Sequence, residues 1–176
     1  MSMKIEKSPL TVVGSTEYVG IFDYKDIPAK IDTGADSSSV WASNITMRDD
    51  GTLVFTLFGE KSPYYDGRQI ETTKYLARVV RSSHGDRQIR YLINLPLTIK
   101  GKPFNTSFTL ANRVRNKFPI LIGRKTLEGN FLVDVSRSAI ARQQPSRSTH
   151  LNQELRQNPS SFHKKYIKQG SKEVYL

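Results

Sequence analysis

The amino-acid sequence predicts an all-β protein whose core closes into a barrel. Three observations carry that expectation. Short apolar or alternating runs recur along the chain, turn residues sit close together between them, and helical apolar spacing is scarce before residue 140. Eight or nine short strands without a long helix belong to barrels and sandwiches rather than to layered α/β folds.

The elements follow in order. Residues 12–22 (VVGSTEYVGIF) and 28–32 (PAKID) read as strands joined by a polar turn at DYKDI. After a serine run, TLVFTLFG (52–59) alternates and then becomes continuously apolar, and SPYYDGRQ is a loop punctuated by Pro63 and Gly67. KYLARVVRS and RQIRYLINL flank SSHGD, whose Gly85 suits a hairpin tip, and LTIKGKPFNTSFTL forms a second hairpin turning at Lys100-Gly101-Lys102. FPILIG (118–123) is a short apolar run, as expected of a strand covered on both faces. RKTLEG supplies a short helix closed by Gly129, and FLVDV a last short strand. Three segments result: an N-terminal arm (1–11), a barrel domain (12–140) and a basic, flexible tail (141–176). Within the tail, STHLNQELRQ suits a helix capped by Ser148 or Thr149, with Leu151 and Leu155 too thin an apolar face for an independent domain.

At 176 residues the chain fits one domain with an appendage and can bury a core without disulfides. It contains no cysteine, which excludes a thiolate nucleophile and a cysteine-based metal site. The start, MSMKIEKSPL, lacks the apolar stretch of a secretory leader, and no apolar run approaches the ~18–20 residues of a membrane helix. A soluble, cytoplasmic protein is expected. The net charge is +11, and residues 137–176 hold eight basic side chains against two acidic ones. Such an excess favours acidic partners or serves as a solubilising tail. No helix-turn-helix, RRM or zinc-finger pattern accompanies it, and no GxxxxGK[ST] phosphate loop is present. No cofactor is expected.

Residues 28–42, PAKIDTGADSSSVWA, hold the chemistry worth weighing. Ile31 ends an apolar strand, so Asp32 emerges at its end. Thr33 and Gly34 then form a tight turn whose N–H groups and hydroxyl can face the carboxylate. On the residues alone, Asp32 is a turn cap, an ion-pair partner or a reagent. Asp36 and Arg124 either brace two loops as a buried carboxylate–guanidinium pair or are unrelated solvated charges. His84, His150 and His163 have no ligand spacing, and Ser37, Ser38 and Ser39 are on no nucleophile elbow. No metal site is expected.

AKIDTGADSSSVWA, RVVRSSHGDRQIRY, FPILIGRKTL and FLVDVSRS together resemble the retropepsin-like aspartic proteases. They are most similar to the small family found beside or fused to RimK-type glutamate ligases, whose members have been labelled ATP-dependent zinc proteases. The resemblance implies an acid-protease barrel with a flap hairpin and a short C-terminal helix. It implies a catalytic role for Asp32, support from Thr33 and Gly34, and a structural Asp36–Arg124 pair. It places a flap over residues 78–91, where Arg81, Arg87 and Arg90, with His84 at the tip, are candidate substrate contacts. Peptide hydrolysis by carboxylates needs one ionised and one protonated acid. With one D-T-G per chain, the second Asp32 is expected from a second copy, making a homodimer; Asp134 is the in-chain alternative. The implied function is an aspartic peptidase acting on acidic polypeptides, trimming glutamate tails that a RimK-type ligase adds to a ribosomal protein. Two alternatives stand beside it: a non-catalytic module docking on ribosome or ligase, and a zinc-dependent peptidase.

Overall fold

The computed structural model describes residues 9–81, 87–141 and 146–168. The chain divides into two compact units, Met1–Ile140 and Ala141–Leu176. The first contains eleven strands among its described residues: β1 (Thr11–Val13), β2 (Thr16–Ile21), β3 (Tyr24–Asp32), β4 (Ser38–Met47), β5 (Leu53–Leu57), β6 (Gln69–Thr72), β7 (Leu76–Arg81), β8 (Arg87–Ile99), β9 (Lys102–Ala111), β10 (Ile120–Gly123) and, after the one-turn helix α1 (Arg124–Leu127), β11 (Phe131–Val133).

Six of these close a barrel in the order β10-β3-β2-β8-β9-β4, with β4 pairing back onto β10. Closure removes the exposed edges that an open sheet of this size would present. The core is filled by inward residues of these strands and of β5, among them Ile21, Ile27, Phe55, Phe108, Ile120 and Ile122, each with essentially no exposed surface. β10 lies between β3, which it pairs in parallel, and β4, which it pairs antiparallel. Ile120 and Ile122 are buried and Leu121 is half-buried, so this strand is covered on both faces. β5 and β6 extend the barrel wall beyond β4, β7 pairs only with β8, and β1 and β11 form a separate parallel two-stranded sheet.

Several elements differ from the sequence expectation. DYKDI is not a turn: β3 already begins at Tyr24, and the reversal is confined to Phe22 and Asp23, with Phe22 at φ 53°. The polar residues mislead because Lys25 and Asp26 are exposed while Ile27 points inward. The serine run opens a ten-residue strand, β4, whose first five residues are all buried. Ser38 Oγ enters the core with partners from the far end of the chain, Gly123 N–H and Thr126 Oγ1, whereas Ser39 Oγ is buried without a hydrogen-bond partner. Gln69, assigned to a loop, starts β6. The two expected hairpins share one thirteen-residue strand, β8, which runs straight through Pro96. Pro96 is tolerated because the ladder to β2 stops at Leu97. Its carbonyl accepts the Phe22 N–H at 3.2 Å, so the missing N–H lies on that same side and costs the β9 ladder nothing. At the β8–β9 turn, Lys100 and Gly101 have φ of 51° and 75°, the paired left-handed residues of a tight hairpin. Residues 82–86, including His84 and Gly85 at the expected flap tip, lie outside the described residues.

The second unit contains α2 (Ser146–Gln157), α3 (Pro159–His163) and a π-type turn over Lys164–Lys168. The helix starts two residues before Ser148, so neither Ser148 nor Thr149 is its cap. Asn158 caps α3, its side chain accepting the Ser161 N–H at 3.0 Å, with Pro159 just inside. Glu154 accepts hydrogen bonds from Lys165 Nζ and Tyr166 Oη and ties the turn to α2. Among the described residues no helix is long and apolar enough to cross a membrane.

Candidate active site

β3 ends at Asp32 because the next three residues leave the sheet in a turn. The Gly34 N–H donates to Asp32 Oδ1 at 3.1 Å, and the Ala35 N–H to the Asp32 carbonyl at 3.3 Å. A Cβ on Gly34 would lie 3.3 Å from that carboxylate oxygen, a tight fit that favours glycine here. Asp32 keeps 27 % of its side-chain surface exposed, with Lys30 Nζ 4.0 Å from Oδ2. Thr33 is exposed, and its hydroxyl has no hydrogen-bond partner among the described residues, so the expected hydroxyl support of Asp32 is not made within one chain.

The loop carrying Asp32 is clamped from the far end of the chain. Parallel pairing sets Gly123 beside Asp32. The Arg124 N–H donates to the Ala35 carbonyl at 2.8 Å, and the Lys125 N–H to the Asp36 carbonyl at 3.2 Å. The Arg124 guanidinium pairs with the Asp36 carboxylate. The sequence reading expects this pair to be buried, but the side chains are 61 % and 58 % exposed in the single chain. Below it lies a buried hydroxyl chain. Ser38 Oγ accepts the Gly123 N–H at 3.0 Å and meets Thr126 Oγ1 at 2.7 Å, which in turn meets Thr106 Oγ1 at 2.8 Å. Ser38 and Thr126 escape the sequence reading because hydroxyls carry no motif of their own.

Asp32 opens into a cleft of about 1000 Å³ between this loop and the β7–β8 hairpin. Strand alternation puts the cross-strand pair Arg78–Arg90 on one face of the hairpin and Arg81–Arg87 on the other. Arg78, Arg90 and Arg81 border the cleft; Arg87 does not. Arg113, which the sequence reading passes over, reaches the same cleft, its Nε donating to the Phe118 carbonyl at 3.0 Å. Burial, then the neighbouring Arg90, press the Arg113 guanidinium below its ordinary value, while Asp32 pulls it up. Asp134 is elsewhere. Its carboxylate accepts the Ser136 N–H and hydroxyl and pairs with Arg137, closing its own turn.

Residues 12–144 match the family described as "RimB-like: Retropepsin-like aspartic endopeptidase RimB". The chain belongs to this RimB-like family. Among curated relatives, a "Probable alpha-L-glutamate ligase" of Desulfotalea psychrophila is 30% identical over 141 residues, covering 76% of this chain and 29% of its own length. A protein of the same description from Shewanella pealeana is 29% identical over 133 residues, covering 72% and 29% respectively. The chain thus spans under a third of the relatives it matches. A crystal structure of Legionella pneumophila Lpg0085, described as of unknown function, superposes with a TM-score of 0.58 at 28% identity, covering 73% of this chain and 95% of that one. Like the RimB-like family as a whole, the barrel is of the retropepsin-like, acid-protease type. Among the described residues no group of three or more His, Cys, Asp or Glu side chains could hold a metal ion. His150 and His163 are exposed in the second unit, and His84 lies outside the described residues.

Proposed function

We propose that the chain is an aspartic-type peptidase whose working unit is a homodimer, with Asp32 from each copy forming the catalytic pair. The observation that carries this reading is Asp32 itself. It is a partly exposed carboxylate at a strand end, held by the Gly34 N–H and open to a cleft under a hairpin. Two such carboxylates brought face to face share one proton, because both cannot ionise cheaply. The ionised one takes a proton from water, and the resulting hydroxide equivalent attacks the peptide carbonyl. The protonated one donates to the carbonyl oxygen. Collapse of the tetrahedral intermediate breaks the C–N bond and returns a proton to the leaving amine. The β1–β11 sheet supports the dimer. It has only two strands, too few to be stable alone, and leaves Leu10, Val12 and Leu132 exposed beside it.

The relatives described as glutamate ligases favour an acidic polypeptide as substrate. On this reading the enzyme trims glutamate tails that a RimK-type ligase adds to a ribosomal protein in the cytoplasm, with Arg81 and Arg90 of the flap contacting the tail; Arg87 stands off the cleft and His84 lies outside the described residues. The test compares a glutamate-tailed peptide with a neutral one of equal length, with and without EDTA. Selective cleavage of the acidic peptide that persists in EDTA and is abolished in Asp32→Asn supports the proposal. Cleavage that stops in EDTA and returns with zinc overturns it. Unchanged activity of Asp32→Asn would do so equally.

A further inference from the structure

Four arginines border the cleft without forming an ion pair among the described residues, and three of them, Arg78, Arg90 and Arg113, are partly buried there while Arg81 is exposed. Elsewhere Arg48, Arg68, Arg124 and Arg137 pair with Glu71, Asp23, Asp36 and Asp134. Arg78, Arg90 and Arg113 line the cleft beside Asp32, and among the described residues none of them forms an ion pair. All three are half-buried. The Arg90 fork leans on Gln88 Oε1, and Arg113 is fixed through Nε to a backbone carbonyl, which leaves its two terminal nitrogens facing outward from that anchor. The same cleft is lined by Ser39, 5 % exposed, whose Oγ is buried without a hydrogen-bond partner. Like charges collected on partly desolvated walls repel one another, and the arrangement is relieved when an anion binds.

Resting on the peptidase reading above, we propose that Arg113 and the cross-strand pair Arg78–Arg90 are the specificity-determining residues of the cleft, forming a preorganised site for neighbouring carboxylate side chains of an extended acidic peptide. Arg78 and Arg90 stand directly opposite in the hairpin, with Cβ atoms roughly 5 Å apart. Side chains on one face of an extended peptide repeat about every 6.5–7 Å, a spacing two long guanidinium arms span readily. Arg113 approaches from the loop that follows β9 and offers a third guanidinium to the same cleft. A guanidinium matches a carboxylate by a two-toothed fork, which a lysine cannot reproduce. A nucleic-acid backbone suits the cleft less well. Its ~1000 Å³ takes a few side chains rather than a helix.

The test uses the full chain carrying Asp32→Asn, so that binding is read without turnover, and a fluorescein-labelled pentaglutamate. Adding Arg113→Gln or Arg78→Gln should weaken binding by roughly tenfold or more each. Arg113→Lys should recover only part of the loss. Arg115→Gln removes an equal charge from an exposed position two residues away and should leave binding within about twofold. Should Arg113→Gln prove unfolded by circular dichroism, Arg113→Lys and Arg78→Gln carry the comparison. Pentaglutamine binding as well as pentaglutamate, an equal loss in Arg115→Gln, or displacement of the peptide by a lower concentration of single-stranded oligonucleotide would each overturn the proposal. The two readings fail separately. Arginine-dependent binding with no cleavage by the unsubstituted chain removes the peptidase, whereas cleavage whose KM ignores Arg113 and Arg78 removes this site.

Discussion

Asp36 is the residue where sequence and structure part most sharply. The Arg124 hydrogen bond, and then its charge, hold the Asp36 carboxyl below its usual value of 3.8. A carboxyl depressed in the folded state stabilises it above its unfolded value, and the contribution is lost as pH falls through the folded one. The melting-temperature difference between the native chain and Arg124→Ala should therefore be present near neutral pH and fade in acid, as pH falls through the depressed folded-state value of Asp36. It should also be small and shrink with salt, because both partners are largely exposed. A difference that persists in acid would mean that Arg124 acts through packing rather than through Asp36. Gly123 is less forgiving. A Cβ there would sit 2.6 Å from the Ser37 carbonyl carbon and 2.9 Å from the Ala35 oxygen, backbone on both counts. Gly123→Ala should cost roughly 2–3 kcal/mol in denaturant titration and loosen the Asp32 loop. A cost under ~0.5 kcal/mol would show that the loop yields freely.

Among the elements, α1 matters beyond its four residues. It has no side-chain cap, and its hold on the barrel runs through Thr126, which is buried between Ser38 and Thr106. Thr126→Val keeps the shape but leaves both hydroxyls short of a partner, and should cost about 1–3 kcal/mol. Chemical denaturation measures it, and the additional replacement Ser38→Ala should recover part of the loss if the two hydroxyls are coupled. The same elements explain what could be read beforehand. IDTGA and PILIGR are legible because each joins an apolar strand to a turn of restricted chemistry, and such local rules survive without tertiary context. β4 is illegible at its start because Ser38 and Ser39 are polar by composition yet buried by position. Arg113 is invisible for a related reason: β9 ends at Ala111, and only the closing of the barrel carries the next residues to Asp32. Arg78 and Arg90 share a face only once the β7–β8 register is fixed.

At the scale of the whole molecule, one chain offers one Asp32, and the proposed chemistry needs two. Specific activity should fall as the protein is diluted through its dimer dissociation constant, in step with sedimentation. Mixing the native chain with excess Asp32→Asn should suppress activity beyond simple dilution, because mixed pairs lack one carboxylate. A strict monomer that still cleaves substrate would refute the dimer. The placement of β10 also dictates when the site comes into being. β3 and β4 are consecutive in the chain, yet they do not pair, and the strand that lies between them, β10, is made some eighty residues later. A nascent chain therefore exposes Asp32 long before Gly123, Arg124 and Thr126 exist to clamp its loop. During synthesis, which proceeds from the N-terminus at about 5–20 residues per second, the carboxylate stays on an unanchored segment for several seconds. The last strand to enter the barrel is thus the one that assembles the site, and a chain cut short before residue 120 would carry the whole DTGA sequence without the geometry that gives it meaning.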